Sequence, residues 1–159
     1  MRPCPNGDEM DPQTRTQAER DYSKARTALA KGNVLAALSL LESAIRHHDN
    51  PSWHSMLGYC MAKERGHVTK GVELCRSCLE REPENPDHYY FLGKIYILAK
   101  NRAEAFTVLR LGMSIGGSIE IQQLLNELGP RKRPFIPWLV RDHPINKYMG
   151  IFLSRIGLR

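Results

Sequence analysis

A dipeptide that recurs after thirty-five residues constrains the fold of this chain more than any other sequence feature. Its two copies are Leu57-Gly58 and Leu92-Gly93. The pairs Asn50-Pro51 and Asn85-Pro86 recur at the same interval. An Asn-Pro pair is typical of a helix start, because asparagine caps the first turn and proline at the first helical position loses no hydrogen bond. A period of this length between helix starts predicts an array of helical repeats.

Each repeat is predicted to be a pair of antiparallel helices. Helical periodicity runs from about residue 12 to residue 128, and few segments alternate with period two, so no sheet is expected. Gly32 and Gly66 stand where helices should end, since glycine readily takes the left-handed conformation found there. Small residues at regular positions would let the two helices of a pair approach closely, and large residues would fill the gap between them.

The third unit carries the most complete pattern. It reads Tyr89-x2-Leu92-Gly93-x2-Tyr96 and then Ala105-x3-Leu109. This resembles the tetratricopeptide repeat (TPR), whose pattern is W-x2-L-G-x2-Y, then A-x3-F, then P. The resemblance implies an all-α TPR-type superhelix. Its three helix-turn-helix repeats would span residues 18–50, 51–85 and 86–119, with the first repeat departing most from the pattern, as terminal repeats often do.

The segment 118–129 is predicted to be one further helix. Ser118 can cap it, Ile121 begins a stripe that continues with Leu124, Leu125 and Leu128, and Gly129 can end it. TPR arrays usually close with a solvating helix of this kind. The predicted TPR domain is therefore 12–129, and the preceding residues 1–11, which include three prolines or glycines and several polar groups, are expected to be disordered.

The positive charge of the chain is confined to one end. The chain carries a formal net charge of +6, yet residues 1–129 hold sixteen basic and sixteen acidic residues. The basic cluster Arg131-Lys132-Arg133 alone would make few phosphate contacts, so nucleic-acid binding is not expected. No apolar run approaches the roughly 20 residues of a membrane span, and the N-terminus lacks an apolar signal core. These features predict a cytoplasmic protein without membrane insertion.

Residues 130–159 form a basic extension rich in proline and aromatic residues. Pro134 and Pro137 should prevent helix formation, whereas Pro144 can begin an amphipathic helix over 144–155. Its apolar residues should be buried, either on the repeats of the same chain, on a partner, or on a second copy in a homodimer. These predicted docking residues are Phe135, Ile136, Trp138, Leu139, Ile145, Tyr148, Met149 and Phe152.

Cys75 and Cys78 form a CxxC motif, which in other proteins serves as half of a zinc site or as a redox dithiol. No second ligand pair has a matching spacing, and no strand-turn-helix context surrounds the motif. The repeat register instead places both cysteines at small, buried packing positions. Neither a phosphate-binding loop nor a catalytic motif occurs elsewhere. We therefore predict a protein that is not an enzyme and has no metal or cofactor.

The family resemblance implies a concave groove lined by the first helix of each repeat. By register, the groove residues would be Tyr22, Arg26, Ser55, Tyr59, Lys63, Tyr90, Lys94 and Ile97. Aromatic rings beside basic groups suit a peptide with apolar side chains and some negative charge. The set differs from the Lys and Asn pairs with which the family clamps acidic C-termini. Several of these residues could equally pack between helices.

The predicted function is that of a non-enzymatic adaptor that binds a peptide or helix of another protein in this groove. An alternative is a small TPR chaperone that holds a secretion or assembly substrate. A third hypothesis is a thiol or zinc protein that uses Cys75 and Cys78.

Overall fold

A computed structural model describes residues 12–129 of the chain. The predicted disordered N-terminus, 1–11, and the extension 130–159 with its helix and docking residues lie outside the described residues. Within residues 12–129 the chain forms seven α-helices and no strand. They are α1 (Pro12–Ala30), α2 (Val34–His47), α3 (His54–Arg65), α4 (Val68–Arg81), α5 (Pro86–Leu98), α6 (Arg102–Ser114) and α7 (Ile119–Leu128). A short 3-10 turn, Pro51–Trp53, leads into α3.

Asparagine side chains cap α2, α5, α6 and the 3-10 turn that leads into α3. The predicted caps Asn50 and Asn85 are confirmed, because their side-chain oxygens accept hydrogen bonds from the amides of Ser52 and Asp87 at 3.0 and 3.1 Å. Asn33 and Asn101 cap α2 and α6 in the same way. Capping of this kind satisfies amides that have no partner within the helix.

The predicted helix ends are also confirmed. Gly32 and Gly66 follow α1 and α3 with φ angles of 78° and 70°, a region that residues with a side chain rarely adopt. The short connections bring α1 onto α2, α3 onto α4 and α5 onto α6, which gives three antiparallel helix pairs.

Within two of the pairs, a glycine sets the distance between the helices. A Cβ atom on Gly58 would lie 2.8 Å from the carbonyl oxygen of Gly71, so the backbones of α3 and α4 are in direct contact. In the third pair, a Cβ atom on Gly93 would lie 2.6 Å from Cδ2 of Leu109. The glycine of the first helix thus contacts the backbone of α4 in the second repeat and the side chain of Leu109 on α6 in the third.

One apolar core runs through the three pairs. Its buried members include Ala25, Leu38, Leu41, Met56, Cys60, Cys75, Phe91, Leu92 and Ile95. The burial predicted for Cys75 and Cys78 is confirmed, with 0% and 2% of each residue exposed. Beyond the third pair, α7 packs on α6. The amide of Ile121 donates to Ser118 Oγ at 3.3 Å, and Ile121 is fully buried, which confirms the predicted cap and the closing helix.

Candidate functional site: the concave groove

Three first helices and the start of α7 line a cavity of about 190 Å³. Its walls come from α1, α3 and α5, which the resemblance placed on the concave face. The lining residues are Arg26, Leu29, Ala30, Met56, Asp87, Tyr90, Phe91, Lys94, Ser118 and Glu120. Three of the eight predicted groove residues, Arg26, Tyr90 and Lys94, are among them.

Helix α5 supplies the longest wall of the cavity. Asp87, Tyr90, Phe91 and Lys94 follow the spacing i, i+3, i+4, i+7, which brings all four to one face of the helix. At a rise of about 1.5 Å per residue, Asp87 and Lys94 are roughly 10 Å apart along the axis. The wall therefore presents an acid, two aromatic rings and a base in sequence.

Lys94 is held by aromatic rings. Its Nζ lies 4.1 Å from the ring centroid of Tyr59 and 5.0 Å from that of Tyr90, and it donates to Tyr90 Oη at 3.4 Å. Lys94 forms no ion pair within residues 12–129. Burial lowers its pKa, and repulsion from Lys63 adds to the effect. An anionic group of a ligand would stabilise the charged form of Lys94 further, because the faces of aromatic rings compensate a positive charge only in part.

Tyr59 serves as the floor beneath Lys94. Only 4% of the residue is exposed, and burial raises the pKa of its phenol to about 12. The ring therefore stays neutral at physiological pH and keeps its face available to the ammonium group. Tyr90 is half-buried, and burial raises its pKa as well.

At the other end of the cavity, Arg26 and Asp87 form a loose ion pair. Their closest atoms are 4.0 Å apart, and the side chains are 60% and 42% exposed. Exposed pairs of this kind stabilise a protein by only about 0–1 kcal/mol. Glu120 also lines the cavity. Hydrogen bonds from its own backbone amide and from the Ser118 hydroxyl hold the pKa of Glu120 below its usual range, with Arg26 contributing less.

The structure corrects the prediction for Ser55. Only 1% of this residue is exposed, and its hydroxyl is 2.9 Å from Nδ1 of His88, a residue with no exposed surface. Nε2 of His88 lies 3.2 Å from a carboxylate oxygen of Glu82. Glu82 in turn accepts hydrogen bonds from Ser52 and Asn85. Ser55 thus belongs to a partly buried polar network between the second and third repeats, since His88 of α5 covers it.

The remaining predicted groove residues lie outside the cavity lining. Tyr22 stacks on Trp53, with the ring centroids 4.6 Å apart and the planes 10° from parallel. It is half-buried and packs the first repeat against the second. Lys63 is exposed near Lys94, and Ile97 is half-buried at the end of α5.

The two cysteines of the CxxC motif point into packed backbone. Sγ of Cys75 donates to the carbonyl of Ser55 at 3.5 Å, and Sγ of Cys78 donates to that of Pro51 at 3.2 Å. Burial raises the pKa of both thiols, so neither is a ready nucleophile. Among residues 12–129, no three His, Cys, Asp or Glu side chains are grouped to hold a metal ion.

No helix of the described part of the chain is long and apolar enough to cross a membrane. No protein-family model and no curated protein matches the sequence. Solved structures do match. The crystal structure of the Sgt2 TPR domain from Aspergillus fumigatus superimposes with a TM-score of 0.58 and 18% sequence identity, over 79% of this chain and 82% of that chain. Together with the three helix pairs and the closing helix, this likeness shows that the chain has the all-α fold of a TPR-type superhelix.

Proposed function

We propose that this protein is a non-enzymatic adaptor whose concave groove binds a segment of another protein. The observation that carries the proposal is the state of Lys94, a cation at the cavity wall that is held by two tyrosine rings and has no carboxylate partner within residues 12–129. Such a group is ready to receive a partner's acid.

The size of the cavity favours a peptide over a small molecule. Sites for small molecules usually enclose about 300–1,000 Å³, whereas this cavity measures about 190 Å³. A space of this size can admit individual side chains while the rest of the ligand lies along the groove. Half-buried Leu29 and Tyr90 and exposed Ala30 supply apolar and aromatic contact area, the kind of surface that anchors a peptide.

Selection from a phage-displayed library of random dodecapeptides on the full-length chain tests the proposal. Dissociation constants of the tightest peptides would be measured for the wild type, for Lys94→Glu and for Lys70→Glu. Lys70 is exposed on α4 and lies outside the cavity lining, so it gives the same charge change away from the groove. We expect Lys94→Glu to weaken binding about tenfold and Lys70→Glu to leave it within about twofold.

Equal effects of the two variants would contradict the proposal, because binding would then depend on net charge alone. The behaviour of a natural partner protein distinguishes the adaptor hypothesis from the chaperone hypothesis. A partner that is stable alone and joins a ternary complex with this chain supports an adaptor. A partner that precipitates unless it is co-expressed with this chain supports a chaperone.

A further inference from the structure

Not all of the charged residues that line the cavity form ion pairs within the described residues 12–129. Four of its lining residues are acidic or basic, and two of these, Arg26 and Asp87, form an ion pair with each other. Lys94 and Glu120 are left over, since neither forms an ion pair within the described residues 12–129. The groove thus offers one unpaired cation and one unpaired anion.

These two charges come from different elements of the cavity wall, Lys94 from α5 and Glu120 from the start of α7. Lys94 is two turns along α5 from Asp87, a separation of about 10 Å. Glu120 interacts electrostatically with Arg26, the residue that pairs with Asp87, and with Tyr90. Tyr90 and Phe91 lie between Asp87 and Lys94 on the α5 wall.

We propose that the groove selects a segment of mixed charge, with an acidic side chain over Lys94, a basic side chain beside Glu120, and apolar side chains between them. The inference rests on the proposed function and specifies its ligand. A purely acidic segment would satisfy Lys94 but would bring a second negative charge to Glu120 and Asp87. Like charges in contact disfavour binding, so the groove discriminates against such a segment.

The dodecapeptides selected on the wild-type chain provide the first readout. We expect them to be enriched, relative to the unselected library, in peptides that carry both an acidic and a basic side chain. The second readout exchanges charges between protein and peptide. Glu120→Lys should weaken the tightest mixed-charge peptide about three- to fivefold, the effect of an exposed charge pair, and the loss should be recovered when the basic residue of that peptide is replaced by Glu.

Glu104→Lys is the matched control. Glu104, like Glu120, is an exposed acid in the first turn of its helix, so both variants weaken the same favourable interaction with the helix N-terminus. Glu104 does not line the cavity. The two variants should therefore lose similar thermal stability, and only Glu120→Lys should alter peptide binding.

The outcomes separate this inference from the proposed function. Selected peptides that are purely acidic, depend on Lys94 and are indifferent to Glu120→Lys would overturn the mixed-charge ligand and leave the groove function standing. Peptides indifferent to both Lys94→Glu and Glu120→Lys would overturn both. Self-association of the full-length chain that blocks peptide binding and is abolished by Lys94→Glu would also overturn the inference, because a second copy would then be the occupant.

Discussion

Replacing Gly93 by alanine tests how the two helices of the third repeat cross. The added methyl group would lie 2.6 Å from Cδ2 and 2.7 Å from Cγ of Leu109. Carbon atoms in favourable contact are about 3.5–4.0 Å apart, so α5 and α6 would have to separate. Overpacking of this kind costs about 1–3 kcal/mol, and alanine regains about 1 kcal/mol over glycine within a helix. We expect Gly93→Ala to lower the free energy of unfolding by about 1 kcal/mol.

Combining this change with Leu109→Ala isolates the contact. Leu109 is fully buried, and Leu→Ala at such a site costs about 3–5 kcal/mol. In the double variant, the methyl group of the new alanine can enter the space that the leucine leaves. The double variant should therefore be more stable than the sum of the single losses predicts, by about 1–2 kcal/mol.

Urea unfolding followed by far-ultraviolet circular dichroism measures these differences, provided that the slope of free energy against urea is the same for all four proteins. Thr107→Ala, at an exposed position of α6, controls for alanine substitution itself and should change stability by less than about 0.5 kcal/mol. Additive losses for Gly93→Ala and Leu109→Ala would refute the reasoning, because the two residues would then not be in contact.

Three further predictions concern the interior. His88→Ala removes a fully buried ring that contacts Glu82, and should lower the free energy of unfolding by about 2–4 kcal/mol. His67→Ala, at an exposed position, should lower it by less than about 0.5 kcal/mol. A loss as small for His88→Ala as for His67→Ala would contradict the inter-repeat network. In the folded chain the pKa of Glu82 is lowered, chiefly by the hydrogen bond from the Ser52 hydroxyl. The ionised carboxylate of Glu82 therefore stabilises the fold above the unfolded-state pKa of about 4.3, and this stabilisation is lost as the pH falls through the lower folded-state pKa. The stability difference between wild type and Glu82→Gln in urea unfolding should accordingly narrow on acidification, and a constant difference would refute this. Cys75 and Cys78 should react with iodoacetamide only when the chain unfolds, since burial raises the pKa of both thiols. Mass spectrometry of the labelled chain measures this reaction. Rapid labelling of both cysteines in the folded chain would support the thiol hypothesis.

Much of the fold could be predicted because its signals are local. An asparagine before a proline specifies a helix start within three residues, and Gly66 specifies a helix end by its own conformation. The spacing of Leu-Gly pairs then placed those helices in repeats. The small-residue position at Gly58 was also predicted correctly, because a Cβ atom there would lie only 2.8 Å from the carbonyl oxygen of Gly71.

The groove could be predicted only in part, because burial depends on neighbours that are distant in sequence. The register gave the helical turn on which Ser55 lies but did not show that His88, thirty-three residues later, covers it. The roles of Asp87 and Glu120 were missed for a related reason. Glu120 reaches the cavity only because α7 packs onto α6. Asp87 could have been found from its i, i+7 spacing to Lys94 on α5.

Hydrogen-deuterium exchange of the full-length chain, with and without its tightest selected dodecapeptide, tests the central claim most directly. Binding in the groove should slow amide exchange in the described first helices α1, α3 and α5 and at the start of α7, and leave α2 and α4 unchanged. Protection confined to α2, α4 and α6, or to residues 130–159, would contradict the claim, since the peptide would then bind away from the groove.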